Sequence, residues 1–392
     1  MRRVIPIGPY HPLQEEPEFF KLIVEGEKVV EVEINIGYNH RGHEFLSPKM
    51  TYEQIPYLVE RICGICSNSH PLAFVQAVED AAKIEVPERA LYIRTINHEL
   101  ERIHSHFLWL GLAGHFIGYN TVWMWAWKYR EPVLDIFEMI TGNRNHYAMN
   151  KVGGVRWDIK EEQIPMIENI LLEVEKATWM FTKAILDDPV ILARLEGVGI
   201  LPKEVAIDYG VVGPTARASG LKIDVRKDDP HAAYDKVDWE VIVFEEGDVL
   251  AKAKVRLLEC LESIKIIRQC LKKMPKGPIE TTIKEIPEGE GIGRAEAPRG
   301  EVFHYVRTSG MNHPIRHKIR APSYMNIASN AYACVGYSIA DAALTLAAVD
   351  PCYCCTERLV VYSGNKKIMD YEDILKLSWE LTEKLKRKYR ML

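Results

Sequence analysis

Two Cys-x-x-Cys pairs near opposite ends of the 392-residue chain constrain its fold more than any other feature. The first is Cys63-Gly64-Ile65-Cys66; the second lies in Cys352-Tyr353-Cys354-Cys355. Two intervening residues let both sulfurs of a pair close on one metal. Four soft sulfur donors suit zinc, an iron–sulfur cluster or a nickel–iron centre. A zinc ribbon keeps its two pairs within a few tens of residues. Here nearly the whole chain separates them, so a shared site requires a fold that joins the two ends. A catalytic metal site, a structural zinc or iron–sulfur site, and incidental cysteines all stay open on spacing alone.

The start, Met1-Arg2-Arg3-Val4-Ile5-Pro6, lacks the apolar run of a signal peptide. That favours a reducing compartment, where structural disulfides are rare. The chain is 47% hydrophobic and 27% charged, with net charge −5. This composition is that of a globular protein with one large or two modest domains. Its mild acidity argues against a nucleic-acid partner. Residues 107–127 are apolar and rich in tryptophan, but Gly118-Tyr119-Asn120 interrupts them. They read as a buried helix pair with a turn rather than a membrane span.

The flanks of the pairs narrow the field. The first sits in Glu60-Arg61-Ile62-Cys63-Gly64-Ile65-Cys66, with His70 four residues on; the second sits in Asp350-Pro351-Cys352-Tyr353-Cys354-Cys355-Thr356-Glu357-Arg358. Together these blocks resemble the large, catalytic subunit of nickel–iron hydrogenases. The form of the second block resembles the membrane-bound, energy-converting branch (group 4). That branch is related to the 49-kDa subunit of respiratory complex I, which lacks the metal-binding cysteines. Four cysteines at the four positions favour the hydrogenase side.

The resemblance implies an α+β, predominantly helical fold: a central bundle of long helices, a small N-terminal β-hairpin region and peripheral β elements. It divides the chain into an N-terminal lead and hairpin (1–50), a helical catalytic core joining both pairs (51–358) and a C-terminal extension (359–392). In many members a maturation endopeptidase removes that extension; here the cut would follow Arg358. Cys63, Cys66, Cys352 and Cys355 would hold nickel, with Cys66 and Cys355 bridging to an iron that carries carbonyl and cyanide. Cys354 has no counterpart in the pattern and reads as a bystander. A magnesium ion is a further cofactor of this resemblance. Heterolytic cleavage of dihydrogen would use Cys352 as base, with Arg299 of Pro298-Arg299-Gly300 over the open metal position. Glu16 would carry the proton away. Asp350 and His70 would support the cofactor. Too few cysteines remain for an iron–sulfur cluster, so a small iron–sulfur subunit is a required partner. Ferredoxin and membrane antiporter-like and anchor subunits complete the expected assembly, on the cytoplasmic face of the membrane. A complex I-like electron-transfer subunit and a structural zinc scaffold are the alternatives.

Local patterns set further expectations. Residues 1–17 are a proline-punctuated extended lead. Residues 19–37 alternate about Glu25-Gly26-Glu27 as a β-hairpin. Thr51 and Gln54 form a capping box for a helix to Ala82; if it stays helical, Cys63 and Cys66 share a face, with His70 following. Residues 87–115, 122–140, 161–186 and about 238–273 read as helices, the last with Cys260 and Cys270 in the core. Glu101-Arg102-Ile103-His104 matches half of a di-iron motif, but no second copy exists. Glu99, Glu101, His104 and His106 then read as a polar face packed on another subunit. Asp224–Asp229 reads as surface decoration or a partner contact. Gly289-Glu290-Gly291-Ile292-Gly293 lacks the strand and helix of a dinucleotide loop and reads as a turn between strands. Residues 325–349 form a small-residue helix delivering the second pair. The tail reads as a strand, a turn at Gly364-Asn365 and a basic helix.

Overall fold

A computed structural model describes residues 1–356, 361–364, 366–369 and 371–389. Its core is a bundle of four long helices: Glu88–Phe116, Asn120–Thr141, Ile164–Asp187 and Val249–Lys273. Each carries an apolar stripe of helical period, and these stripes merge into one cluster that includes Ile96, Phe107, Phe137, Phe181 and Ile267. Cys260 and Cys270 are buried in it. The first two helices are joined by the turn at 117–119, and the second stops at Gly142, whose φ of 79° suits glycine. Among the described residues no helix is long and apolar enough to cross a membrane.

The N-terminal hairpin forms as expected, Phe19–Glu25 against Lys28–Asn35. Within the lead, expected to be extended, Arg2–Ile7 adds a third antiparallel strand beside Phe19–Glu25. Pro6 is tolerated because this is an edge strand. Phe20, Leu22 and Val24 face a second core with Leu346 and Tyr353, which places the sheet against the segment carrying the second cysteine pair.

A second antiparallel sheet runs Glu288–Ala297, Gly300–Ser309, Pro314–Arg320. Gly289, Gly291 and Gly293 lie inside its first strand rather than in a turn. A Cβ at these positions would stand 2.8, 2.1 and 1.8 Å from the carbonyl oxygens of Ala81, Ala77 and Ala73. Those alanines repeat every fourth residue on the Ser69–Ala82 helix. Four residues of helix rise about 6 Å and two of strand about 6.6 Å, so the periods match. The glycines let backbone rest on backbone; sequence patterning finds the spacing but not its partner.

Three helix boundaries differ from expectation. The Thr51–Gln54 capping box forms, with amide-to-side-chain distances of 3.0 and 3.3 Å. Its helix, however, is only Ile55–Glu60, and the next begins at Ser69. Both cysteines of the first pair therefore lie in the connecting turn. The expected start near Asp238 moves to Val249, where Asp248 caps the Ala251 amide at 2.7 Å. The 325–349 segment is not one helix. It breaks into short turns, then Ser338 caps Ile339–Ala348. In the tail, Val361–Ser363 pairs with Lys366–Met369, and Tyr371–Tyr389 is helical. Glu357 and Arg358 of the second motif, the expected cut after Arg358, and Asn365 lie outside the described residues.

Candidate metal centre

The turn holding Cys63 and Cys66 is fixed by its own sulfur: the amides of Ile65 and Cys66 each donate to Cys63 Sγ at 3.4 Å. The Ser67 hydroxyl donates to the Cys63 carbonyl at 3.3 Å and the Gly64 carbonyl at 3.0 Å. The second pair follows the Ile339–Ala348 helix. Asp350 takes a left-handed φ of 56°, which turns the chain out of the helix. The Cys352 amide donates to Ser323 Oγ at 3.0 Å and the Cys354 amide to Glu16 Oε2 at 2.6 Å.

These two turns meet. Cys352 Sγ lies 3.0 Å from Cys63 Sγ, 2.9 Å from Cys355 Sγ and 3.5 Å from Cys354 Sγ. The sulfurs of Cys63, Cys352, Cys354 and Cys355 all fall within 4.8 Å of one another. Cys354, expected as a bystander, thus stands in the compact set. Cys66 sits at its margin, buried beside Cys63 and facing Arg299 Nη1 at 3.7 Å. Cys63 is the sulfur that ionises most easily, because the neighbouring thiols, Cys352 foremost, donate to it.

Arg299 enters from the two-residue turn between strands Glu288–Ala297 and Gly300–Ser309. Gly213 and Gly300, both with positive φ, let a second backbone press on this turn; a Cβ on Gly213 would lie 2.3 Å from the Arg299 carbonyl. The side chain is buried. Its Nε donates to the Asp350 carbonyl and its Nη2 to Asp350 Oδ1, both at 2.7 Å; Nη1 reaches Ser105 Oγ at 3.2 Å. Asp350 Oδ2 is buried with no hydrogen-bond partner. Burial raises the Asp350 carboxyl against the pull of Arg299 and Arg256. Burial likewise raises that of Glu16.

His70 does not pair its imidazole with Cys66. Its ring Nε2 faces Cys355 Sγ at 3.8 Å, and Nδ1 faces His304 Nε2 at 3.1 Å. Burial lowers its pKa to about 4, so the ring is neutral. Two further residues stand at the site in parts the sequence reading did not give them. Arg41 donates to the carbonyls of Arg61, Ile62 and Cys354 at 2.6, 2.7 and 3.1 Å, tying both cysteine turns together. Its place in Arg41-Gly42-His43-Glu44 was the only signal. Glu101, expected at a subunit contact, lies fully buried beneath the site and accepts the Ser69 amide at 3.1 Å and the Ser69 hydroxyl. Glu99 and His106 are also buried within the chain, so this polar face packs inside the chain rather than on another subunit; in Asp224–Asp229 Asp224 and Arg226 are buried, while Lys227, Asp228 and Asp229 stay exposed.

The site thus gathers five thiols and the buried carboxyls of Glu15, Glu16, Glu101 and Asp350 around one guanidinium that touches sulfur, a donor set suited to a thiophilic cation. Known proteins resemble this chain along most of its length. The family profile described as respiratory-chain NADH dehydrogenase, 49 Kd subunit, matches residues 117–286 and 280–358; that of nickel-dependent hydrogenase matches residues 41–112. The membrane-bound hydrogenase subunit alpha of Pyrococcus furiosus is 43% identical, covering 97% of this chain and 93% of that protein. An NADH-quinone oxidoreductase subunit of Deinococcus radiodurans is 37% identical, covering 88% and 93%. A chain from the membrane-bound sulfane sulfur reductase, an archaeal respiratory membrane complex, superposes with a TM-score of 0.87 at 31% identity, covering 91% of this chain and 98% of that one. The chain belongs to the oxidoreductase family that unites large subunits of membrane-bound nickel-dependent hydrogenases with the 49-kDa subunit of respiratory-chain NADH dehydrogenase.

Proposed function

We propose that this chain is the catalytic large subunit of an energy-converting nickel–iron hydrogenase. The observation that carries the reading is the meeting of sulfurs from both ends of the chain beneath one buried guanidinium. Cys63, Cys66, Cys352 and Cys355 would hold nickel and iron, and Cys354 offers a further sulfur at the same point. The bound metals, with carbonyl and cyanide on iron, supply the electrophilic site at which dihydrogen becomes acidic enough for heterolytic cleavage.

The protein's own groups account for the proton. A guanidinium stays protonated in proteins, so Arg299 is not the base. Asp350 holds it with two 2.7 Å bonds, fixing a positive charge beside the sulfurs. The Cys352 thiolate takes the proton. Glu16 is the next station, because its carboxylate already touches the Cys354 backbone and its pKa is raised by burial. His70 supports Cys355.

Electrons leave through a small iron–sulfur subunit. The three other cysteines, Cys260, Cys270 and Cys334, are buried in hydrophobic clusters away from the sulfur set. Ferredoxin as electron carrier, antiporter-like and anchor subunits, peripheral attachment to the cytoplasmic face, a magnesium ion and an endopeptidase acting after Arg358 complete this reading.

A complex I-like electron-transfer role is the second reading, favoured by the match of the 49 Kd profile over residues 117–358. Metal analysis with an infrared spectrum of the native complex separates the two. Nickel with iron beyond that of the clusters, and metal-bound carbonyl and cyanide bands, supports the hydrogenase. An assembled complex lacking both sinks it; zinc alone would support a scaffold.

A further inference from the structure

Behind His70 lies a line of buried polar groups that the proposed chemistry does not use. His70 Nδ1 is 3.1 Å from His304 Nε2, His304 Nδ1 is 2.9 Å from His317 Nε2, and His317 Nδ1 is 2.7 Å from Ser47 Oγ. The four residues come from four places: the Ser69–Ala82 helix, strands Gly300–Ser309 and Pro314–Arg320, and the Ser47–Lys49 turn. All are buried, none above 2% exposure. Phe74 packs on the His317 ring, with centroids 5.0 Å apart.

We infer that Ser47, His317, His304 and His70 form one directional hydrogen-bond chain that ends on the Cys355 sulfur and fixes which ring nitrogen of His70 carries the proton. A neutral imidazole has one donor and one acceptor nitrogen. Every ring-to-ring link joins Nδ1 of one histidine to Nε2 of the next. A link of two donors or two acceptors is no bond, so all three rings must share one tautomer. A metal-bound thiolate at Cys355 only accepts. His70 must then carry its proton on Nε2, and so must His304 and His317. The Ser47 hydroxyl closes the line by donating to His317 Nδ1. Burial holds the His304 and His317 rings neutral, as such a line requires. Ser47, His304 and His317 are thus positioning residues for a sulfur they do not touch. That Cys355 is a metal ligand rests on the proposed function; the shared tautomer does not.

The test is nitrogen-15 NMR of the histidine rings in the full chain, metal-free and loaded with zinc alone as a diamagnetic thiolate ligand. The expected result is one tautomer common to the three rings in both samples, and protonated Nε2 with zinc. Mixed tautomers among the three overturn the inference. In the metal-free chain, where the Cys355 thiol can donate as well as accept, His304→Phe should release His70 to populate both tautomers, and His304→Gln, whose amide both donates and accepts, should restore one. A His70 held in a single tautomer in metal-free H304F overturns the inference. Ser47→Ala removes one hydroxyl without disturbing the core; His317 should keep the shared tautomer through its link to His304, while its Nδ1 resonance shifts for want of a donor, even if H304F does not fold. An unchanged His317 Nδ1 resonance in S47A overturns the proposal. In the native complex, the infrared bands of the centre should shift in H304F and return in H304Q. Matching tautomers in a complex without nickel would sink the hydrogenase reading and leave the hydrogen-bond chain standing.

Discussion

Two buried clusters of charge lie within the same chain, and their electrostatics run in opposite directions. In one, Glu99, Asp224, Glu259 and Glu296 meet Arg102, Arg217 and Arg226, all in the interior. Burial works against ionisation of Glu99, yet Arg226 and Arg102 outweigh it and hold the carboxyl below the usual range. Glu259 is held low in the same way by Arg217 and His106. In the other, around the cysteines, burial wins. Glu101 rises to about 8 and Asp350 rises despite its bond to Arg299. In the first cluster three guanidiniums hold Glu99, Asp224 and Glu259 low, and only the fourth carboxyl, Glu296, is pushed up by burial, to about 7; the cluster serves the fold. In the second, raised carboxyls surround thiols, the arrangement a bound cation would relieve and the one the proposed function uses.

The sharpest way to break this contrast is one substitution in each cluster. Cys352→Ser should abolish nickel binding and hydrogen-dependent dye reduction, a loss of at least ~10³-fold, measured by metal analysis and activity of the complex. The metal-free variant should keep its helical circular dichroism and lie within about 1 kcal/mol of the parent in urea. Arg217→Met should reverse the pattern. It leaves Glu259 and Glu296 buried without their shared partner, so the metal-free chain should lose about 3–5 kcal/mol. If both variants hurt stability equally, the two clusters are not distinct.

Arg299→Lys refines the picture inside the site. The planar fork that grips the Asp350 carbonyl and carboxylate is lost, while the charge remains. Metal content should be kept and kcat should fall about 10²–10³-fold. Loss of the metals instead would assign Arg299 to assembly of the site rather than to turnover.

What the sequence made legible was local. The hairpin, the Thr51–Gln54 box and the helices through Ile140 and Leu186 are written in alternation, caps and periodicity. The cysteine pairs were legible because their spacing carries its own chemistry. Burial of charge was not. Glu99 and Arg226 stand 127 residues apart, and no local pattern announces their contact at 3.0 Å. The same holds for His304 and His317, whose line to His70 joins residues 234 apart in sequence at its first link. Gly289, Gly291 and Gly293 show the opposite failure. Their spacing was plain, but its cause lies in Ala73, Ala77 and Ala81 of a distant helix. Asp248 was a readable start signal that the apolar residues before it masked.

The smallest expected effect tests the contrast through pH. Unfolded, Glu101 releases its proton near its ordinary value of 4.5; folded, burial pushes it up to about 8. Between those values the native state holds the extra proton, so stability is fully present at the acid end and falls as pH rises. Glu101 therefore contributes a decline in the urea midpoint of the metal-free chain from about pH 5 to about pH 8, read as the difference between the parent and Glu101→Gln, because buried neutral histidines such as His70, His106 and His317 raise the midpoint as pH climbs towards 6.5 and Glu15 is pushed up to about 8 like Glu101. Glu60, raised to about 7 by burial, adds to the lower part of that decline. Glu101→Gln should flatten the upper part, because the amide has no proton to keep. Zinc or nickel bound to the sulfurs should flatten it too, since a cation nearby favours the carboxylate. Glu99 supplies the control. Its depressed pKa gives a stability that is constant above its unfolded value and fails only as pH falls into strong acid. Glu99→Gln should then lower the midpoint by the same amount at every pH from about 5 to 8, with no slope of its own. A sloping loss in E99Q, or a flat one in E101Q, would mean that the two clusters share their charge and that the arginine network already supplies what the sulfur site lacks.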